Sequence, residues 1–383
     1  MAIGIIAEFN PFHNGHKYLI NEAKHLNNNE PVVCVMSGAF VQRGEPAVTD
    51  KWTRAKMALE NGADLIFELP AAFSLNTAQK FAYGAVAILR ASGIVDTLAF
   101  GSESGDTREL RKAAAVLADE PPEVSKKLKA LMAEGMSYPC ARARAYEGLI
   151  PSSLLSSPND ILGIEYLRAA DELNAGFKIC AITRKGTSHD SAETAGEFAS
   201  ASELRRLILE NGNICGFVPY SGSFPVYDSS RLDTAVTALL RTCGADYISS
   251  INDVAEGLEN RFIKAAMTYC TVDEICGAVK SKRYAMSRIR RIIWSVLLGI
   301  TKEKAALPPS YIRILGMTQR GKTLLKQMKT ASKLPVVVKA ADYCADELFD
   351  LNRRAEDIFS LCAPSPSLRK GGRDITVSPV IAE

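Results

Sequence analysis

The sequence predicts an α/β protein: a mainly parallel sheet covered by helices, followed by a mainly helical C-terminal region. Three observations carry this. Over the first half of the chain, short apolar runs alternate with segments of helical periodicity, the pattern of βα units. The first run, Ile3 to Ala7, is broken by Asn10 and Pro11 and leads straight into a helical pattern through Tyr18, Leu19, Ala23 and Leu26. Beyond residue 219 the strand-like runs give way to helical and mixed patterns.

Taken in order, Pro31 to Met36 reads as the second strand and Ser37 to Pro46 as an ordered, glycine-containing loop with Gln42 and Arg43. Asp50 caps a helix through Asn61 that Gly62 ends. Asp64 to Leu69 is a third strand stopped by Pro70; Thr77 to Ala91 is a helix closed by Gly93; Thr97 to Phe100 is a fourth strand ending in Gly101-Ser102-Glu103. Residues 107 to 173 are largely helical, including the run Ser137 to Ala145, and Ser157-Pro158-Asn159-Asp160 opens an apolar helix. Phe177 to Ile182 is a fifth strand, followed by Thr183-Arg184-Lys185-Gly186 and a flexible polar stretch, His189 to Glu197. Ser200 and Glu203 have capping-box spacing for the helix that carries Arg205. Pro219, Gly222 and Pro225 mark a boundary, so the expected organisation is 1–218, 219–363 and a disordered tail, 364–383.

Composition narrows the class. With 383 residues and 47% hydrophobic content the chain builds a large core. Its 46 basic and 43 acidic residues nearly balance, so a nucleic-acid role must rest on local clustering rather than net charge. Nine scattered cysteines without a CxxC pair argue for buried reduced thiols, with no metal site and no tightly bound cofactor expected. No apolar run has membrane-spanning length and no signal peptide is visible, so a cytoplasmic protein is expected.

The chemistry concentrates at the first strand-to-helix turn. His13-Asn14-Gly15-His16 puts half of the chain's four histidines at a helix N-terminus, where free N–H groups and the helix dipole attract phosphate. Gly15 lets the backbone approach a ligand, and His13 and His16, three apart, reach one phosphate together. Two histidines that merely cap a helix are the plainer reading. Further along, Ser200, Ser202 and Arg205 offer hydroxyls and a cation at a second helix N-terminus, the equipment for stabilising charge on an α-phosphate; simple capping is again the alternative. Both Asn10–His16 and Gly101–Glu103 lie at strand ends of the kind where such sheets bind ligands.

His13-x-Gly15-His16 resembles the HxGH motif of the nucleotidyltransferase superfamily that includes class I aminoacyl-tRNA synthetases. Ser200 to Arg205 is similar to its ISxSxxR motif, with Ala199 in place of isoleucine. The longer blocks Gly4–His16, Ser37–Pro46, Gly62–Pro70, Gly101–Glu103, Ser157–Gly163 and Lys282–Tyr284 resemble the tRNA(Met) cytidine acetate ligase family over nearly the whole chain except the tail. The resemblance implies a Rossmann-like nucleotidyltransferase domain. It also implies ATP-dependent acetylation of N4 of the wobble cytidine in elongator tRNA(Met), through acetyl-adenylate. Acetate, ATP and the tRNA are the implied partners, with Mg²⁺ accompanying ATP. The ATP positions it implies are Ala7, Glu8, Phe9, Asn10, Pro11, Phe12, His13, Asn14, Gly15, His16 and Lys17, then Gly101, Asn159 and Arg184, to which the second motif adds Ser200, Ser202 and Arg205. His13 and His16 are the expected catalytic pair. Glu8 stands as either a base or a carboxylate that holds the turn.

The second half has its own signature. Between Lys280 and Thr330 Glu303 is the only acid, and Lys282, Arg283, Arg288, Arg290 and Arg291 are the expected tRNA-phosphate contacts. A solvated helix face is the alternative, and Trp294, inside an apolar run, reads as core. Two other functions remain: a small-molecule nucleotidyltransferase of coenzyme biosynthesis, which leaves the basic half unexplained, and a non-enzymatic RNA-binding protein, which leaves His13, Gly15, His16 and Arg205 unexplained.

Overall fold

The computed structural model describes residues 1–136, 138–185, 196–255 and 257–383; Ser137 and most of the expected flexible stretch 189–197 lie outside the described residues. Ten strands are described: β1 (Ala2–Ala7), β2 (Val32–Ser37), β3 (Phe40–Val41), β4 (Glu45–Pro46), β5 (Leu65–Leu69), β6 (Val95–Ser102), β7 (Lys178–Thr183), β8 (Ile312–Met317), β9 (Val336–Val337) and β10 (Val380–Ile381). Among the described residues, eight of them form one sheet in the order β10-β8-β5-β2-β1-β6-β7, with β9 beside β8. The five strands from β5 to β7 along that order are parallel.

The strands are buried on both faces, as a sheet sandwiched by helices requires. Alternate residues divide cleanly: Ile3, Ile5, Cys34 and Ile66 join one core, Ile6, Val33, Val35 and Phe67 the other. The second core runs on without a break into helices beyond the sheet, through Leu240, Phe262, Ile292 and Phe359. Local signals work as expected. The Asp50 side chain accepts the Thr53 N–H and starts the helix Lys51–Leu59; Gly93, at φ 70°, closes the helix Ala78–Ser92. Trp294 is core, packed on Phe40 with ring centroids 5.8 Å apart.

Two expectations gain detail and one needs correction. The loop 37–46 contains a small hairpin, β3 paired antiparallel with β4. The mainly helical region beyond 219 also supplies β8, which joins the sheet antiparallel to β5. The charge of Arg313 obscured that strand; its guanidinium is buried and donates to the Val338 and Asp374 carbonyls at 3.0 and 3.1 Å. The tail is ordered rather than disordered: β10 pairs with β8, and the Ala382 N–H donates to the Met317 carbonyl. Its serine, proline and glycine content suggested disorder because the groups that bind it lie far away in sequence.

The chief of those groups is Lys51. Fully buried, its ammonium lies 2.7 Å from Glu68 on β5, 2.8 Å from Asp374 in the tail and 3.7 Å from Glu356 on the helix Glu347–Ser360. One lysine faces three carboxylates, and burial pushes Glu356 up to about 7. Removing one member of a buried ion cluster strands the others in low dielectric. Lys51→Met is therefore expected to lower the unfolding free energy by about 3–5 kcal/mol, read as a fall in the urea midpoint, with the tail residues losing amide-exchange protection first.

Candidate functional site

In a parallel sheet, the crevice opens where the chain order reverses. Here that point lies between β1 and β6: from β1 the chain proceeds to β2 and β5 on one side, then returns to β6 and β7 on the other. The C-terminal ends of both strands meet a cavity of about 400 Å³.

After β1 the chain folds under itself. Phe9 adopts φ 48°, a left-handed conformation that an aromatic residue rarely holds. Its buried ring packs on Phe12 at 5.0 Å and on His16 at 4.9 Å, which fixes the turn. The Asn10–Pro11 peptide is cis, and the Asn10 side chain accepts the Val48 N–H at 2.8 Å. His13 then caps the helix Asn14–Leu26. Its Nδ1 accepts the Gly15 N–H at 3.1 Å, while His16 Nδ1 accepts the His13 N–H at 3.2 Å. The two rings stack with centroids 3.7 Å apart. The turn is therefore a capping box in which both rings also line the cavity. Because each Nδ1 accepts a backbone proton, the ring proton of each neutral imidazole sits on Nε2. Gly15 is required by this packing: a Cβ there would come within 2.9 Å of His13 Cε1.

The second motif converges on the same turn. Ser200 caps the helix Ala201–Leu209 by accepting the Glu203 N–H at 3.1 Å. Arg205 donates to the Asn10 carbonyl at 2.9 Å, lies 2.8 Å from a Glu45 carboxylate oxygen and reaches Ser202 Oγ at 3.3 Å. On the β6 side, two acids lock the strand end to the helix Pro158–Glu172. Asp160 accepts the Glu103 N–H at 3.0 Å and the Ser102 hydroxyl; Glu103 accepts the Asp160 N–H at 2.9 Å and the Asn159 side-chain amide at 2.6 Å. The Asn159 carbonyl oxygen in turn accepts from Arg184 at 3.3 Å. Burial lowers the Arg184 pKa, with the Glu103 carboxylate opposing.

Of the expected ATP-contacting residues, Ala7, Glu8, Phe9, Asn10, His13, Gly15 and His16 line the cavity, as do Gly101, Asn159, Arg184, Ser200 and Arg205. Five do not. Pro11 and Phe12 are buried, Phe12 under the turn against the Phe9 and His16 rings. Asn14 reaches sideways to the Glu197 and Gly216 carbonyls, Lys17 is exposed on the helix, and Ser202 supports Arg205. Lys185 also lines the cavity, its ammonium 4.6 Å from the Tyr18 ring centre; position after a strand end was the signal for it. Arg54 gave no signal. Fully buried, it donates to the carbonyls of Glu8 (2.7 Å), Ser37 (3.0 Å), Thr49 (3.1 Å) and Gly38, tying three loops together. Desolvation brings its pKa down to about 10, so it stays charged.

The basic cluster divides. Lys282 and Arg283 are exposed. Arg288 and Arg291 converge on Asp253 at 3.1 and 3.5 Å, and Arg290 pairs with Asp273 at 3.0 Å. Arg291 is buried and donates to the Gln42 carbonyl, so it holds the 37–46 loop rather than meeting solvent.

A family model of the HIGH nucleotidyl transferases matches residues 1–374. A tRNA(Met) cytidine acetate ligase of Caldanaerobacter subterraneus subsp. tengcongensis is 39% identical, over 96% of this chain and 97% of that one. The enzyme of the same name from Acetivibrio thermocellus is 37% identical over 99% of both. Among solved structures, Thermotoga maritima TmcAL superposes with a TM-score of 0.90 in its apo form and 0.89 when bound with alpha-thio ATP. Each is 32% identical and covers 100% of this chain and 99% of its own.

If Gly15 exists to let His13 fold back over the helix start, Gly15→Ala displaces that ring. It is expected to weaken nucleotide binding by roughly tenfold or more, about 1.4 kcal/mol, measured by calorimetry, with the melting temperature little changed.

Proposed function

The chain belongs to the HIGH nucleotidyl transferases and, within them, to the tRNA(Met) cytidine acetate ligase family, and we propose that it activates acetate with ATP and transfers the acetyl group to N4 of the wobble cytidine of elongator tRNA(Met). The observation that carries this reading is convergence: the His13–His16 turn and the Ser200–Arg205 helix start, 195 residues apart where Arg205 meets Asn10, face one cavity.

Acetate is a weak acyl donor until its oxygen carries a good leaving group. Attack of a carboxylate oxygen on the α-phosphate forms the acyl–phosphate bond and releases pyrophosphate. Negative charge grows on the phosphate oxygens as this happens. Donors fixed before reaction stabilise it most, because nothing has to reorganise. The imidazoles, held by their own backbone contacts, and the amide groups at the helix start are donors of that kind. Arg184 and Lys185 at the end of β7 suit the departing pyrophosphate. Mg²⁺ would arrive as part of the nucleotide substrate.

The tRNA is received by the helical region beyond residue 219, with Lys282 and Arg283 at its exposed basic edge. Among the described residues no helix is long and apolar enough to cross a membrane, and a tRNA substrate fits a cytoplasmic enzyme.

Incubation with ATP, labelled acetate and unmodified elongator tRNA(Met) should give labelled N4-acetylcytidine and AMP; label-free RNA would overturn the assignment. His16→Ala should abolish acetyl-adenylate formation and leave tRNA affinity within about twofold. Lys282→Ala with Arg283→Ala should do the reverse, weakening tRNA binding and lowering the salt slope by about one per lost phosphate contact.

A further inference from the structure

The cavity described above suits anions on almost every side, with His13, His16, Arg184, Lys185 and Arg205 on its wall. Glu8 breaks that pattern. A carboxylate facing ATP's phosphates opposes their binding, so its presence calls for a task other than holding nucleotide. Its placement is equally specific. Glu8 follows β1 directly, and β1 lies between β6, whose end carries Gly101, and β2, whose loop carries Gln42 and Arg43. The β6 and β7 side supplies Asn159 and Arg184. The β2 side runs instead to Ser287, at the start of the helix Met286–Leu298, which also lines the cavity. Glu8 thus stands where the nucleotide half of the cavity meets the half bordered by the proposed tRNA-binding region.

The carboxylate is held rather than loose. Its Oε1 accepts the Gln42 N–H at 2.7 Å, and its backbone carbonyl is gripped by Arg54 at 2.7 Å. Gln42 is itself fixed, since its carbonyl accepts from the buried Arg291 and the next loop residue but one, Gly44, sits against Arg290 and Arg291 with no room for a Cβ. The charged and titratable groups around Glu8 come from four other elements: Arg43 and Glu45 from the loop, Arg54 from the helix Lys51–Leu59, Arg205 from the second motif and Tyr166 from the helix Pro158–Glu172. Burial raises its proton affinity above that of an ordinary glutamate, against the pull of Gln42, Arg205 and Arg43.

We propose that Glu8 is the general base of the second half-reaction, taking the proton from the cytidine N4 amine as that amine attacks acetyl-adenylate. The proposal rests on the acetyl-transfer reading above. The step balances as follows. The N4 lone pair forms a bond to the acetyl carbonyl carbon, and the bond from that carbon to the phosphate oxygen breaks. Its electron pair leaves with AMP, and the N4 proton passes to the Glu8 carboxylate. An exocyclic cytosine amine is a poor nucleophile because its lone pair is delocalised into the ring. A base at the junction removes the positive charge that would otherwise build on nitrogen. The first half-reaction needs no such base, since acetate enters already ionised.

Glu8→Gln separates this role from an anchoring one, because the amide keeps a carbonyl oxygen for the Gln42 N–H while losing basicity. In the full-length protein, acetyl-adenylate formed from ATP and labelled acetate without tRNA is measured by rapid quench. Transfer from that preformed intermediate to tRNA is measured in a single turnover. The expected result is transfer slowed by roughly 100-fold or more beyond any change in intermediate formation. Glu8→Asp, which keeps a carboxylate, should recover part of the transfer rate. Transfer at the natural rate in Glu8→Gln, or equal loss of both steps, would overturn the assignment. If the natural protein itself made no acetyl-adenylate, the acetyl-transfer reading would fall, a result distinct from failure of the Glu8 variant alone.

Discussion

Two buried cations on one helix, Lys51 and Arg54, set the terms for everything around them. They lie three residues apart and so face nearly the same direction. Both are fully buried, and a buried charge must be matched or the fold does not form. Lys51 is matched by carboxylates from a strand, a late helix and the tail; Arg54 is matched by carbonyls from three loops. One helix therefore draws the distant end of the chain onto the sheet with one side chain and fixes the floor of the cavity with the other.

The rest of the site is preorganised by the same means, through contacts that protein groups make with each other before any ligand arrives. The histidines cap their own helix, Asp160 and Glu103 fasten β6 to the helix that carries Asn159, and Arg205 seats on the turn it serves. In each case a group that faces the cavity is held by a protein partner rather than by a ligand. Such an arrangement suits chemistry in which charge builds up briefly on phosphate, because the donors have no reorganisation left to make.

How much of this was legible in the sequence follows from the range of the interactions. The strand-helix alternation, the Asp50 cap and the Gly93 stop depend on residues within a few positions of one another, and the structure matches them. The HxGH turn was legible because its residues are contiguous. Arg54 was not, since nothing in a run of helix-forming residues distinguishes a guanidinium that will meet four carbonyls from one that will meet water. Arg291 misled for the converse reason: in a basic stretch it looks like a phosphate contact, while its partner Asp253 is thirty-eight residues upstream. The tail was obscured by composition. Serine, proline and glycine lower the local tendency to order, yet Asp374 supplies a carboxylate that Lys51 needs from 323 residues away.

The antiparallel pairing of β8 with β5 has a consequence for how the molecule can be divided. Its Gly216–Ser230 segment looks like a seam, and a fragment ending there would retain the HxGH turn, the second motif and five parallel strands. It would also leave β5 at the sheet's margin, with the edge that Leu65, Ile66, Phe67 and Glu68 present to β8 open along a largely apolar strand. A bare apolar margin of that kind templates pairing between molecules. The strand that shields it is encoded beyond the apparent seam, so the half that carries the HxGH turn depends on the other half for its solubility.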